Sequence, residues 1–363
     1  MPKQSKGVLV PEPFVPGWMA TMAGSLPLAH PATAWDWVIQ YLPHIPAWPQ
    51  LPHRSYQENM YAQFAQGFPG IVVDLVAERT FVDRNRNLEP GLERLYLAYL
   101  QNDLEYGAMS PEEAAGLYHL LGSEGLLMTP PVAIKGQITG PISWGLTVSD
   151  ENRRPVLYDE ILADAVAKHL RLRASWQELQ LQSFGPRTIL FVDEPYLSAF
   201  GSGYVSLERA QVVSLLEEVF AGISGLKGIH CCGNTDWSVL LETSVDILHL
   251  DAFDYAESLA LYPEAVAGFL DRGGIIAWGI VPASPSVEGE TAEALVDRLH
   301  EALGLLVDKG VSLDKLLNAG LVMPSCGTGS LDPATAESVL ELTAAVSAEM
   351  RTRYVTTAKE ITS

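Results

Sequence analysis

The chain has 363 residues, 48% of them hydrophobic, and a formal net charge of −21 at pH 7. This length and apolar content are enough for a large core, in one α/β barrel or in two smaller domains. The negative charge argues against nucleic acid or an anionic membrane as a partner, because both would repel the protein.

The sequence predicts a cytoplasmic protein with no membrane partner. Its amino terminus has no apolar core of signal-peptide length, and no apolar run reaches the length of a transmembrane helix. Three cysteines, two of them adjacent, do not make the disulfide framework of a small secreted protein. A reducing compartment would keep these thiols available as metal ligands.

In the first third of the chain, the predicted strands and helices alternate irregularly. Residues 1–17 predict an extended lead-in, and residues 18–363 a single domain. Strands are predicted at 19–24, 48–52 and 70–75, and helices at 31–41 and 58–68; one early strand could belong to a hairpin. Residues 78–127 contain helical stretches at 92–104 and 111–121 with no clear strand between them, which predicts a helical insertion.

A regular alternation follows. Strands are predicted at 132–135, 188–192, 228–232, 247–250, 275–278 and 321–323, and helices at about 157–183, 206–222, 236–244, 257–271, 290–309 and 333–352. Strands alternating with helices of this length predict βαβ units and a parallel sheet. Eight or nine strand candidates favour a single TIM-type (β/α)8 barrel with a helical insertion in its first half.

Polar side chains collect where these strands end, which is where barrel enzymes place their active residues. They are Ser25, Gln137, Thr139, Asp193, Glu194, His230, Cys232, Asp251 and Cys326.

A metal site is predicted from three of them. Residues two apart share a face of a strand, so His230 and Cys232 point one way and Cys231 the other. Cys326 follows a late apolar run. One imidazole and two thiols suit zinc, and three protein ligands leave a position open, as in catalytic sites. The alternative is a buried imidazole with inert core thiols.

The carboxylates admit more than one role. Asp193 and Glu194 could bind an ammonium group or act as acid and base, or they could cap a helix or turn. Asp251 could be a fourth, oxygen ligand or a partner of His230.

Five motifs, in order, resemble the carboxyl-terminal catalytic half of cobalamin-independent methionine synthase. They are Ala23-Gly-Ser-Leu-Pro27, Ile138-Thr-Gly-Pro141, Val192-Asp-Glu-Pro195, His230-x-Cys232 and Pro324-Ser-Cys-Gly327. The wider superfamily includes uroporphyrinogen decarboxylase and the methylcobamide:coenzyme M methyltransferases, and residues 230–235 are similar to the latter.

The resemblance implies a barrel that holds zinc and methylates the thiol of homocysteine to form methionine. His230, Cys232 and Cys326 match zinc ligands, and Asp251 stands where the family has a glutamate ligand. Ser25 and Asp193 match positions that hold homocysteine, Asp193 through the ammonium group, and Glu58 is our prediction for a further contact. His230, Cys232 and Asp193 would then be the catalytic residues.

The methyl donor is also an expectation from the resemblance. Full-length members carry a further amino-terminal barrel that helps to bind methyltetrahydrofolate, and 363 residues leave no room for it. The chain is therefore expected to be a stand-alone core enzyme that uses methylcobalamin or a methylated corrinoid protein.

Three alternatives stand beside this reading. A related enzyme could methylate another thiol such as coenzyme M, although the carboxylate of Asp193 would repel its sulfonate. A porphyrinogen decarboxylase would gain nothing from converging His and Cys residues. A non-enzymatic barrel would hold its metal fully ligated and inaccessible.

Overall fold

The structure is a computed structural model that describes residues 13–123, 129–185, 187–202 and 205–356. Most of the predicted lead-in, residues 1–12, and the last residues of the predicted insertion, 124–127, lie outside the described residues. No helix in the described ranges is both long and apolar enough to pass through a lipid bilayer.

The first part of the described chain builds short elements and a small separate sheet. In order they are α1 (Pro31–Tyr41), β1 (Ile71–Asp74), β2 (Arg79–Val82), α2 (Glu89–Gln101), α3 (Ala115–Leu121), β3 (Ile134–Thr139), α4 (Pro141–Thr147) and β4 (Ser149–Asp150). β1 and β2 form an antiparallel hairpin, and β2 pairs with β4. The strand predicted at 70–75 therefore exists, but it belongs to this three-stranded sheet and not to the main one. The insertion contains helices as predicted, and also strand β2.

From there the chain alternates between helices and strands, as predicted. The elements are α5 (Glu160–Leu181), β5 (Thr188–Asp193), α6 (Arg209–Phe220), β6 (Leu226–Cys231), α7 (Trp237–Leu241), β7 (Ile247–Asp251), α8 (Ala252–Leu259), α9 (Pro263–Asp271), β8 (Ile275–Val281), α10 (Ala292–Val307), α11 (Leu313–Asn318), β9 (Gly320–Pro324) and α12 (Pro333–Arg351). Six strands form a parallel sheet in the order β3-β5-β6-β7-β8-β9. The helix predicted at 257–271 is two helices, because Pro263 has no N–H to continue α8 and instead begins α9.

Two extended segments border this sheet. Ala20 bridges to Val322 in β9, Ala47 bridges to Lys135 in β3, and Ser25 bridges to Gln50, all in parallel orientation. The strands predicted at 19–24 and 48–52 are therefore single bridges. Prolines at 46, 49 and 52 explain the second case, since a proline has no N–H to donate to a ladder.

Both faces of the sheet are buried. Alternate residues such as Leu190 and Val192 pack into a large cluster with the helices, while Ile189 and Phe191 belong to a second cluster on the other face. Two buried faces are expected of a parallel sheet whose inner side is filled by side chains. His230 and Asp193, two of the predicted site residues, lie on this inner face.

The helix predicted at 58–68 is wrong. A single 3-10 turn at Tyr56–Glu58 is followed by a series of turns. Side chains from distant elements bind the backbone carbonyls there in place of a helix's own amides: Thr139 to Met60, Trp144 to Tyr61, His169 to Phe64, Arg173 to Gln66 and Tyr106 to Gly67. The apolar spacing is real, but the hydrogen bonds are tertiary.

Helix α3 packs against the backbone beside one of the bridging segments. A Cβ on Gly116 would lie 1.9 Å from the carbonyl oxygen of Pro49. Gly116→Ala should therefore lower the free energy of unfolding by about 3 kcal/mol, since backbone cannot move aside cheaply. The matched control is Gly268→Ala in α9, where no atom lies within 4 Å of the added Cβ and a gain of about 0.5–1 kcal/mol is expected. Urea unfolding measures both, and equal effects would contradict this packing.

Candidate metal centre and substrate cavity

Three predicted ligands meet at the carboxyl ends of two strands. His230 lies in β6, Cys232 is the first residue after β6, and Cys326 is the second residue after β9. One ligand atom from each lies within 4.8 Å of the other two. Strand parity thus brings a thiol and an imidazole to one face, and the β/α topology brings the second thiol from a distant part of the sequence.

The neighbouring Cys231 points the other way. It is buried in the cluster between sheet and helices, and its Sγ lies 3.5 Å from the Gly233 carbonyl oxygen. Burial raises the pKa of its thiol to about 12. Cys231 is therefore a packed, protonated thiol and serves as an internal comparison for Cys232.

The electrostatics favour a thiolate at Cys232. A hydrogen bond with Cys326, followed by contact with His230, lowers the pKa of Cys232 to about 4 despite burial. The same hydrogen bond raises the pKa of Cys326. A thiolate is the form of cysteine that binds metals.

The donor set fits a zinc ion. The Nδ1 atom of His230 is buried and has no hydrogen-bond partner among the described residues, so no hydrogen bond there opposes a ligand role for this ring. Two sulfurs and one nitrogen are ligands that zinc accepts, and three protein ligands leave a fourth position.

The group opens into a cavity of about 470 Å³ whose lining also includes Ser25, Glu58 and Asp193. This volume suits a small molecule. A larger cavity of about 770 Å³ lies at the opposite ends of the strands, around Thr188 and Leu226, and holds none of the predicted site residues. We place the candidate site in the smaller cavity because the reactive side chains converge there.

Asp193 ends β5 next to the predicted metal ligands. It pairs in register with His230, and its buried Oδ1 has no hydrogen-bond partner in the described chain. Burial raises the pKa of Asp193 to about 6, an effect that His230 and Lys135 partly oppose. Asp193 is also part of the cavity lining, and a carboxylate in such a place suits a cationic group.

Lys135 was not predicted as a site residue. It is fully buried in β3, its Nζ donates to the carbonyl oxygen of Ala23 at 2.7 Å, and it lies 4.6 Å from the centre of the Phe191 ring. Burial lowers the pKa of Lys135 to about 8. The available signal was a lysine in the predicted strand 132–135, whose other residues are apolar, because few lysines are fully buried without a partner.

Ser25 also lines the cavity. Its Oγ accepts a hydrogen bond from the amide of Gly329 at 3.2 Å, so its own proton is available to another acceptor. The turn before it requires glycine, because Gly24 has φ 149° and a Cβ there would lie 2.6 Å from Gln137.

Glu58 is held rigidly in the cavity wall. Its Oε2 accepts from the Leu51 amide at 3.0 Å, and its Oε1 pairs with Arg54 at 2.9 Å. Burial raises the pKa of Glu58 to about 7, against these hydrogen bonds.

The two remaining carboxylates contact helix starts. Glu194 accepts from the amides of Ile142 and Ser143 and from the Ser143 hydroxyl, at the beginning of α4. Asp251 Oδ1 accepts from the Asp254 amide at 3.0 Å and caps α8. Asp251 does not belong to the group formed by His230, Cys232 and Cys326. Burial is the largest cause that raises the pKa of Asp251, to about 6, and the charges of Asp254 and Cys232 add to this effect.

His249 in β7 was also missed. It is fully buried, its ring stacks on that of His230 with centroids 4.3 Å apart, and its Nε2 lies 2.9 Å from the carbonyl oxygen of Pro324. Burial, with His230 alongside, holds the pKa of His249 well below its usual range. The strand predicted at 247–250 contained His249, but its pattern did not distinguish this histidine from an ordinary core residue.

No protein-family model matches this sequence, and no curated protein gives a significant match. Solved structures show partial similarity. A B12-independent methionine synthase from a Shewanella species, determined in complex with selenomethionine, has 19% identity and a TM-score of 0.43 over 62% of this chain and 64% of that one. A methyltransferase from Methanosarcina mazei has 13% identity and a TM-score of 0.46 over 67% of this chain and 65% of that one. A candidate vitamin-B12-independent methionine synthase from Listeria monocytogenes has 15% identity and a TM-score of 0.46 over 64% of this chain and 69% of that one. The chain thus spans less than two thirds of the first two proteins, and the chemistry of its site must be inferred from its own residues.

Proposed function

We propose that this chain is a zinc-dependent methyltransferase that methylates the thiol of homocysteine to form methionine. The observation that carries the proposal is the convergence of one imidazole and two thiols on a cavity that Asp193 also lines. The proposal takes the two bridging segments as the remaining strands of an eight-stranded barrel, because their bridges connect β9 through both segments to β3.

In this proposal His230, Cys232 and Cys326 hold the metal. Bound zinc supplies a Lewis acid that lowers the pKa of a substrate thiol and presents its sulfur as a thiolate. Asp251 remains our prediction for a fourth ligand, and its capping contact through Oδ1 is compatible with such a role because a carboxylate has two oxygens.

The other residues bind the amino-acid part of homocysteine. Asp193 accepts hydrogen bonds from the ammonium group through its carboxylate, and the Ser25 hydroxyl donates a hydrogen bond to the substrate carboxylate. Glu58 adds a second acceptor to the cavity wall. In the reaction a sulfur–methyl bond forms, the donor's bond to the methyl group breaks with both electrons staying on the donor, and the thiol proton is released.

The test is a methylation assay on protein of known zinc content, with homocysteine and coenzyme M as competing acceptors. Methylcobalamin and methyltetrahydrofolate are offered as donors in separate reactions. We expect about one zinc per chain, methionine as the product, and methylcobalamin as the working donor. Methylation of coenzyme M alone would overturn the assignment of homocysteine as the acceptor. Turnover with methyltetrahydrofolate alone would overturn the assignment of methylcobalamin as the donor, and protein that binds no zinc would overturn the whole proposal.

A further inference from the structure

His249 contacts both halves of the ligand group. On one side its ring stacks on the ligand His230, with an angle of 23° between the planes. On the other its Nε2 lies 2.9 Å from the carbonyl oxygen of Pro324, two residues before Cys326. The two strands that carry the ligands, β6 and β9, are separated in the sheet by β7 and β8, so a side chain from β7 spans that distance.

The hydrogen bond fixes the state of the ring. A carbonyl oxygen only accepts, so Nε2 carries the proton and donates it, and in the neutral ring Nδ1 is the bare nitrogen. The close packing leaves little freedom to turn: the ring is fully buried, the edge of Phe191 meets it with centroids 6.3 Å apart, and a Cβ on Gly279 would lie 3.0 Å from Nε2.

We propose that His249 is a positioning residue for the metal centre, which aligns the His230 ring by stacking and fixes the turn that carries Cys326 through Pro324. This rests on the proposed function in so far as the three residues hold zinc. Groups that orient metal ligands without touching the metal typically contribute 10- to 100-fold to its affinity.

Two variants separate the two contacts. His249→Phe keeps an aromatic ring for stacking and removes the donor to Pro324, whereas His249→Gln keeps an amide donor at a similar reach and removes the ring. The matched control is His169, which is also fully buried, has its Nε2 2.7 Å from the Phe64 carbonyl oxygen and packs against Phe68. His169→Phe and His169→Gln should therefore reproduce any general loss of core stability.

Zinc affinity is measured by competition with a chromophoric chelator, and the geometry by the absorption bands of the cobalt-substituted protein. We expect the His249 variants to bind zinc about 10- to 100-fold more weakly and to shift the cobalt bands, while both His169 variants stay within about threefold of the unsubstituted protein. Unchanged zinc affinity and cobalt spectra in both His249 variants, or an equal loss in the His169 variants, would overturn the inference. Zinc binding that depends on His249 in a protein without methyl transfer would overturn the proposed function alone.

Discussion

Replacing Cys232 with alanine is expected to remove stoichiometric zinc and to lower methyl transfer by at least about 100-fold. The thiol that is lost belongs to the three-residue ligand group and has its pKa lowered to about 4 by its hydrogen bond with Cys326 and by His230. Because loss of a group that merely orients a ligand costs 10- to 100-fold in metal affinity, loss of a ligand should cost more. Zinc per chain and the rate of methylation are measured on the same preparation, with Cys326→Ala expected to behave alike.

The adjacent cysteine provides the control. Cys231→Ala removes a thiol one position away that packs between sheet and helices, so it should lower the free energy of unfolding by about 1 kcal/mol and leave zinc content unchanged. Equal zinc loss in Cys231→Ala and Cys232→Ala would show that the alanine substitutions act through the fold. Full zinc content in Cys232→Ala would contradict the ligand assignment.

Asp193→Asn is expected to raise the KM for homocysteine by about 100-fold or more. The carboxylate of Asp193, a residue of the cavity lining, would pair with the substrate ammonium. Removing one partner of a buried ion pair costs about 3–5 kcal/mol, at 1.4 kcal/mol for each factor of ten. The substitution preserves shape and removes only the charge. Steady-state kinetics with homocysteine and with 2-mercaptoethanol, a thiol that has no ammonium group, measure the effect.

The second thiol separates two roles of the carboxylate. If Asp193 binds the ammonium, the rate with 2-mercaptoethanol should change by less than about threefold, since that acceptor makes no such ion pair. An equal loss with both thiols would instead indicate that Asp193 acts on the proposed metal ligand His230, beside which it lies in register. Zinc content of the variant distinguishes lost metal from lost substrate binding.

Local patterns predicted much of the sheet. Apolar runs of strand length between helical segments placed β5, β6, β7, β8 and β9 close to their observed positions, because a parallel strand buried on both faces is continuously hydrophobic. Strand parity then separated Cys231 from Cys232 correctly. The proximity of Cys326 to both His230 and Cys232 followed from the topology alone. Their roles as ligands remain a prediction.

What local patterns missed depends on partners distant in sequence. Residues 58–68 have helical spacing, but their carbonyls accept hydrogen bonds from side chains of later elements, such as Trp144 and His169. Lys135 and His249 lie inside buried strands, and their contacts with Ala23 and Pro324 come from residues distant in sequence. Propensity describes neighbours along the chain and contains no information about these contacts.

The contact between the first and last parts of the described chain has a consequence for the rate of folding. The Ser25 carbonyl oxygen accepts from the Thr328 hydroxyl across a sequence separation of 303 residues. Closing so long a loop costs entropy before any contact compensates it, so the formation of this contact should be among the slow steps of folding. Cys326 lies on the same late side as Thr328, which means that a growing polypeptide lacks the complete ligand group until its last strand has emerged. A metal held by His230, Cys232 and Cys326 would then stabilise only the completed fold and none of its precursors.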